Sequence, residues 1–232
     1  MQRHTILEIP VDAIDMKGAV LRAERMLESD SFHHIITLNP EILLQANRDA
    51  TYADVLRKGS MVLPDGIGLV WMGRLLGIPF RERIAGVDFM VELVRLAEQK
   101  EKTVFLLGGR NGAAQKTAEK LKQRFPKLMI DWSENADSVP NADIVFIALG
   151  APKQELWIDA NKSRLPGIKI AMGVGGAFNM IAGIHPRASH FMRSIGLEWL
   201  WRLTLEPRRI GRIGNAVIIF PFTLLSRSVW KR

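Results

Sequence analysis

Asp65 stands in a Pro64-Asp65-Gly66 turn between an apolar strand, 61–64, and an apolar helix that begins near Ile67. A carboxylate at the end of a strand can take a proton from a hydroxyl brought within hydrogen-bonding distance, so the position suits a general base. The same side chain would serve equally well as the N-cap of the helix that follows. Thr37 and Asn39, in the run Thr-Leu-Asn-Pro-Glu at 37–41, present the same pair of readings: ligand contacts, or capping groups for a helix starting at Pro40. Gly108, Gly109 and Gly112 follow an apolar strand and open a helix. Backbone N–H groups there can face a phosphate or nucleotide, or the glycines simply permit a tight turn. Gly-Ala-Pro-Lys-Gln-Glu at 150–155 places Gln154 in the first turn of a helix, where it addresses either a ligand or the cap. Gly173, Gly175 and Gly176 allow close backbone approach and are read as shaping a sugar pocket.

Metal chemistry is not expected. His33, His34, His185 and His190 lack metal-ligand spacing with acids, and the chain has no Asp-x-Asp pair of the kind that holds a divalent cation on a nucleotide sugar. Any diphosphate would then be balanced by arginine, and activity is expected to survive EDTA. No cofactor is expected either, with one competing reading. The glycines at 108–112, followed by Asp131 at the end of the next strand, admit an NAD-dependent oxidoreductase, although they miss the first-third-sixth glycine spacing of the dinucleotide fingerprint.

The elements that must position these residues are short. β-rich runs at 5–9, 34–38, 61–63, 103–107, 129–132, 144–149 and 168–172 alternate with amphipathic stretches such as 14–27 and 41–57. Several strands are continuously apolar, as in a parallel sheet covered on both sides. The expected fold is therefore α/β, a Rossmann-like, mostly parallel sheet with helices on both faces. Ligands in such sheets bind at the carboxyl ends of the strands, so five polar or glycine-rich loops are expected to converge on one edge.

The 232 residues hold 32 Lys and Arg against 24 Asp and Glu, and no Cys. Disulfides, thiolate nucleophiles and cysteine metal sites are excluded. The first ten residues mix Arg3, His4 and Glu8 into a short apolar run, unlike a signal peptide. The longest apolar stretch, 213–225, is interrupted by Asn215 and Pro221 and is too short to span a bilayer. The chain is read as a core, 1–186, and a basic helical C-terminal appendage, 187–232. The appendage has nine basic and two acidic residues, a net charge of +7, interleaved with Trp and Phe. That mixture suits a headgroup layer or a phosphorylated ligand. It points to a protein held peripherally on the inner face of the cell membrane, with an apolar surface that favours a homo-oligomer. A nucleic-acid binder is the alternative, but the aliphatic run at 217–225 suits lipid better than a phosphate backbone, and no nucleic-acid partner is expected.

Six motifs in order, TLNPE (37–41), PDG (64–66), RIAGVD (83–88), GAPKQE (150–155), GVGGAF (173–178) and GLEWLWRLTLEPRR (196–209), resemble the WecG/TagA/CpsF family of bacterial glycosyltransferases over nearly the whole chain. The resemblance implies inverting transfer of N-acetylmannosamine, or a related hexosamine, from a UDP-sugar donor to undecaprenyl-diphosphate-linked N-acetylglucosamine in cell-envelope polymer synthesis. It implies Asp65 as the catalytic base, and Thr37, Asn39, Arg83 and Gln154 around donor or acceptor. It also implies an appendage arginine on the donor diphosphate, from among Arg202, Arg208, Arg209 and Arg212. The acceptor's prenyl chain is expected to stay in lipid, only its sugar-diphosphate head reaching the protein. Two positions depart from the family pattern: Asn179 replaces the usual Asp, and Ser189 the usual Pro.

Overall fold

A computed structural model describes residues 2–135, 139–165, 167–194, 196–205, 207 and 210–229. It opens with an antiparallel hairpin, β1 (Arg3–Ile6) and β2 (Ile9–Asp12). The run at 5–9, read as one strand, is broken because Leu7 and Glu8 both take positive φ and turn the chain back. Helix α1 (Met16–Glu28) follows, capped by Asp15, whose carboxylate accepts from the Gly18 N–H at 2.9 Å. Next come β3 (His33–Leu38), α2 (Pro40–Ala46), α3 (Ala50–Arg57), β4 (Met61–Pro64), α4 (Ile67–Leu75), α5 (Gly86–Gln99), β5 (Thr103–Gly108), α6 (Ala113–Arg124), β6 (Met129–Ser133), β7 (Ile144–Ala148), α7 (Lys153–Asn161), β8 (Ile170–Gly173) and α8 (Ala177–Ile181). The stretch 41–57 is two helices rather than one, because Asp49 starts a new cap on the Tyr52 N–H.

β3 to β8 form one six-stranded sheet, ordered β4-β3-β8-β7-β5-β6, and all of its pairings are parallel. Successive residues alternate between the faces, and both faces are covered, which is why the strands read as unbroken apolar runs. Ile35, Leu63, Leu106, Phe146 and Met172 pack with α1, α5, α6 and α8 on one side. On the other, Ile36, Leu38 and Val62 pack with α2, α3 and α4, and Phe105, Leu107 and Ile147 pack with α7.

The described C-terminal helices are α9 (His190–Ser194), α10 (Glu198–Leu205), α11 (Ile210–Gly214) and α12 (Phe220–Val229), the last two joined through a π-helical turn, Asn215–Ile219. Phe220 and Leu224 of α12 are buried in the cluster that holds Leu43 and Tyr52. α12 thus packs on the core. Among the described residues no helix is long and apolar enough to cross a membrane.

Candidate active site

The strand order decides which loops meet. The chain runs from β3 outward to β4, then crosses to the far half of the sheet and works back to β8, which lies beside β3. A crevice opens at the carboxyl ends where the direction of winding changes. There a cavity of about 570 Å³ is lined by Thr37 and Asn39 at the end of β3, Asp65 after β4, Gly150 and Gln154 after β7, and Gly173, Gly175 and Gly176 at the end of β8. Arg83 from the segment before α5, Trp199 and Arg202 of α10, and Ile213, Ala216, Val217 and Pro221 complete the wall.

Four of the five expected loops converge. Gly108 and Gly109 do not line the cavity, because β5 sits beyond β7. Both have positive φ, and a side chain at Gly109 would meet Phe178 and Ala113, so these glycines make a close strand-to-helix turn. At the start of α6 the Gly112 N–H donates to the Glu134 carboxylate at 2.7 Å, occupying the amide that a dinucleotide phosphate would use. Asp131 lies on the edge strand β6. Arg208 and Arg209 fall outside the described residues, as does the side chain of Arg212 in α11.

Asp65 is not the helix cap; Gly66, with φ of 112°, occupies that position. The Asp65 carboxylate instead accepts from the Gly86 N–H at 3.2 Å, and its own N–H donates to the Leu38 carbonyl at 2.8 Å, fixing it between β3 and the start of α5. Burial pushes its pKa above the ordinary value near 3.8, opposed by Arg83 and the Gly86 N–H, reinforced by Glu198, and opposed again by Arg202. A carboxylate kept short of solvent holds a proton more tightly than an exposed one, which makes it a stronger base. Thr37 is the last-but-one residue of β3 and takes no part in a cap. Asn39 is the cap of α2, accepting from the Ile42 N–H at 3.0 Å, and lines the cavity as well.

Arg83 reaches across the cavity to Glu198 at 2.9 Å, both side chains largely buried. Glu198 also pairs with Arg187 at 3.5 Å, and Arg187 grips both oxygens of Asp88 at 2.6 and 2.7 Å. Burial alone would raise the pKa of Asp88, but the Arg187 fork holds it below the usual carboxylate range. Glu198 therefore ties the cavity-facing Arg83 to the start of the C-terminal helices.

Gln154 lines the cavity and also braces its wall. Its Oε1 accepts from Gly150 N–H (3.1 Å) and Gly175 N–H (3.0 Å), and its Nε2 donates to Glu155 at 2.7 Å. The buried Glu155 accepts in turn from the Tyr52 hydroxyl at 3.1 Å. One amide thus joins the loops after β7 and β8 and anchors both to α3 through Tyr52. Glu155 and Tyr52 were not singled out from the sequence, although the chain's one tyrosine was a usable signal. Among the described residues no group of three or more His, Asp or Glu comes together.

Residues 4–232 match the glycosyl transferase WecG/TagA/CpsF family. The chain belongs to that family. It is 36% identical over 198 residues to a protein of Bacillus spizizenii, covering 81% of this chain and 77% of the relative. It is 34% identical over 225 residues to one of Bacillus subtilis (92% and 88%), and 31% identical over 232 residues to one of Staphylococcus aureus (94% and 91%). All three relatives are named N-acetylglucosaminyldiphosphoundecaprenol N-acetyl-beta-D-mannosaminyltransferase.

The absence of a side chain at Gly86 keeps the space beside Thr37 and Asp65 open. A Cβ on Gly86 would lie 3.2 Å from the Thr37 hydroxyl and 3.5 Å from Asp65 Oδ2. Gly86→Ala is expected to leave thermal stability nearly unchanged and to lower kcat/KM by about tenfold, through displacement of Thr37 and Asp65. Steady-state rates set beside a melting curve separate the two effects.

Proposed function

We propose that the protein transfers N-acetylmannosamine, or a related hexosamine, from a UDP-sugar to N-acetylglucosaminyl-diphosphoundecaprenol, with inversion. The observation that carries this is the juxtaposition in one cavity of a desolvated acid, Asp65, with Arg83 and Arg202. Asp65 accepts the proton of the acceptor hydroxyl as that oxygen attacks the anomeric carbon. The bond to UDP breaks on the opposite face, and arginine meets the charge growing on the diphosphate. Thr37 and Asn39, at the end of the neighbouring strand, line the same cavity and are assigned to sugar hydroxyls. The printed names of the relatives supply the acceptor and the sugar; the donor nucleotide follows from the resemblance set out above.

The same reading places the protein on the inner membrane face. Phe191 and Phe222 are 70% and 75% exposed on a C-terminal segment rich in arginine. Aromatic and basic residues together favour an anionic headgroup layer.

The test is incubation with a panel of UDP-sugars and a short-chain prenyl-diphosphate-linked N-acetylglucosamine, with and without EDTA, the product being identified by mass. The expected result is addition of one N-acetylhexosamine from UDP-N-acetylmannosamine at the same rate in both conditions. Absence of product with every donor overturns the transfer. A rate lost in EDTA and restored by Mg²⁺ overturns the arginine account of the leaving group.

A further inference from the structure

The cavity has two ends of different chemistry. The inner end carries Asp65, Arg83, Glu198 and Arg202, and the side chains of Arg83 and Glu198 are only 17% and 10% exposed. From there α4 runs outward, presenting Ile67, Gly68, Trp71 and Met72 to the cavity. These positions fall on one helical stripe. A second stripe faces it: Ile213, Ala216, Val217 and Pro221, again at helical spacing. The walls meet closely where α4 lacks side chains, since a Cβ on Gly68 would lie 3.8 Å from the Ala216 carbonyl. Trp71 and Val217 are 62% and 53% exposed, so the outer end is open. Beyond it the surface stays apolar through the exposed Leu75 and Phe222.

A channel that starts at a polar pocket beside Asp65 and continues as two apolar stripes matches a ligand whose polar head is joined to a hydrocarbon chain. From Ile67 to Met72 the helix rises about 7.5 Å, room for roughly one to two five-carbon units. Resting on the acceptor assignment made above, we propose that this channel binds the first isoprene units of the lipid-linked acceptor, next to its diphosphate. The prenyl chain then does not lie wholly in the bilayer: its first units are held by protein, and the rest leaves along Leu75 and Phe222. The channel makes the protein selective for prenyl-linked over simple sugar-diphosphate acceptors, and it draws the acceptor hydroxyl toward Asp65 by fixing the far side of the diphosphate.

The experiment uses the full-length protein without vesicles or detergent. Acceptor analogues carrying methyl, geranyl or farnesyl on the same sugar diphosphate are compared. KM is expected to fall about tenfold or more from methyl to farnesyl, the effect of taking a few methylenes out of water, with little change in kcat. In Val217→Ser and Trp71→Ser the farnesyl-to-methyl ratio of kcat/KM is expected to collapse toward one. Calorimetry with farnesyl diphosphate and with inorganic diphosphate supplies a readout that needs no turnover: the former is expected to bind about tenfold tighter, and the variants to lose that difference. Equal KM for all three acceptors, or equal affinity for the two diphosphates, overturns the channel. Variants that change vesicle binding or oligomeric state but keep the farnesyl preference also overturn it, and assign the stripes to a bilayer or to a second copy. If no acceptor is turned over, the transfer reading fails, and the calorimetric comparison still decides the channel.

Discussion

Asp65→Asn is expected to lower turnover by roughly 10²–10⁴-fold while leaving the protein folded, the usual contribution of a positioned acid or base. Asparagine fits the same space and can keep the Gly86 N–H bond, now 3.2 Å long, through its carbonyl oxygen. What it cannot do is accept a proton from a hydroxyl. The same substitution is expected to raise the melting temperature. Burial lifts the pKa of Asp65 above its ordinary value near 3.8, so between that value and the raised one the unfolded chain ionises first and stability falls as pH rises. The deficit remains at neutral pH, and the neutral amide removes it. Activity has the opposite slope: the wild type should lose kcat/KM as pH falls through the raised pKa of Asp65. A melting temperature that rises together with a collapsed rate identifies a carboxylate kept at a cost to stability because the chemistry needs it. Near-normal turnover in Asp65→Asn would remove it from the mechanism.

Glu198→Ala should produce the largest loss of stability among substitutions in the cavity wall. Glu198 bridges Arg83 at 2.9 Å and Arg187 at 3.5 Å, and its removal leaves two arginines facing each other across a largely buried gap. Breaking a fully buried pair costs about 3–5 kcal/mol. The arginines here retain some contact with solvent, so about 2–3 kcal/mol is the expected loss, a drop in melting temperature of roughly 5–10 °C. Turnover should fall as well, since Arg83 loses the partner that holds it across the cavity. A double-mutant cycle with Arg83→Ala is the check: the two losses should be strongly non-additive. Additive losses would show that Glu198 acts on the C-terminal helices without passing through Arg83.

Much of the fold was legible because the local physics is strong. Continuous apolar runs such as 144–148 occur where a strand is covered on both faces, and the helix starts at Pro40 and Met16 carry an Asn and an Asp in capping position. The hairpin turn at Leu7 and Glu8 carried no signal, for neither residue type favours positive φ. The site was legible in its parts and less so in its assembly. Thr37, Asn39, Asp65, Arg83, Gln154, Gly175, Gly176 and Arg202 do meet around one cavity. That Gly108 and Gly109 lie away from this cavity was not legible, because their distance depends on the order of strands, which is set by crossovers and not by local composition. Glu198 was passed over for a related reason. Its partner Arg83 is 115 residues away, and an acid in a basic segment is informative only once that segment's neighbour is known. Gln154 shows a third limit, since nothing in its own loop signals that it also bonds to the loop after β8.

The packing of the last helices on the core has a consequence for how the enzyme comes into being. Asp65, Thr37 and Arg83 emerge early from the ribosome, but the wall that faces them includes Arg202, Val217 and Pro221, near the end of the chain. At ordinary elongation rates the interval is on the order of ten seconds. In the last part of it, once β8 has emerged to join β3, a nascent chain can already have its sheet and Asp65, with the crevice still unroofed. The cavity is thereby tied to completion: a prematurely terminated product would lack one of its walls, and a stalled ribosome would display Asp65 without the side chains that face it.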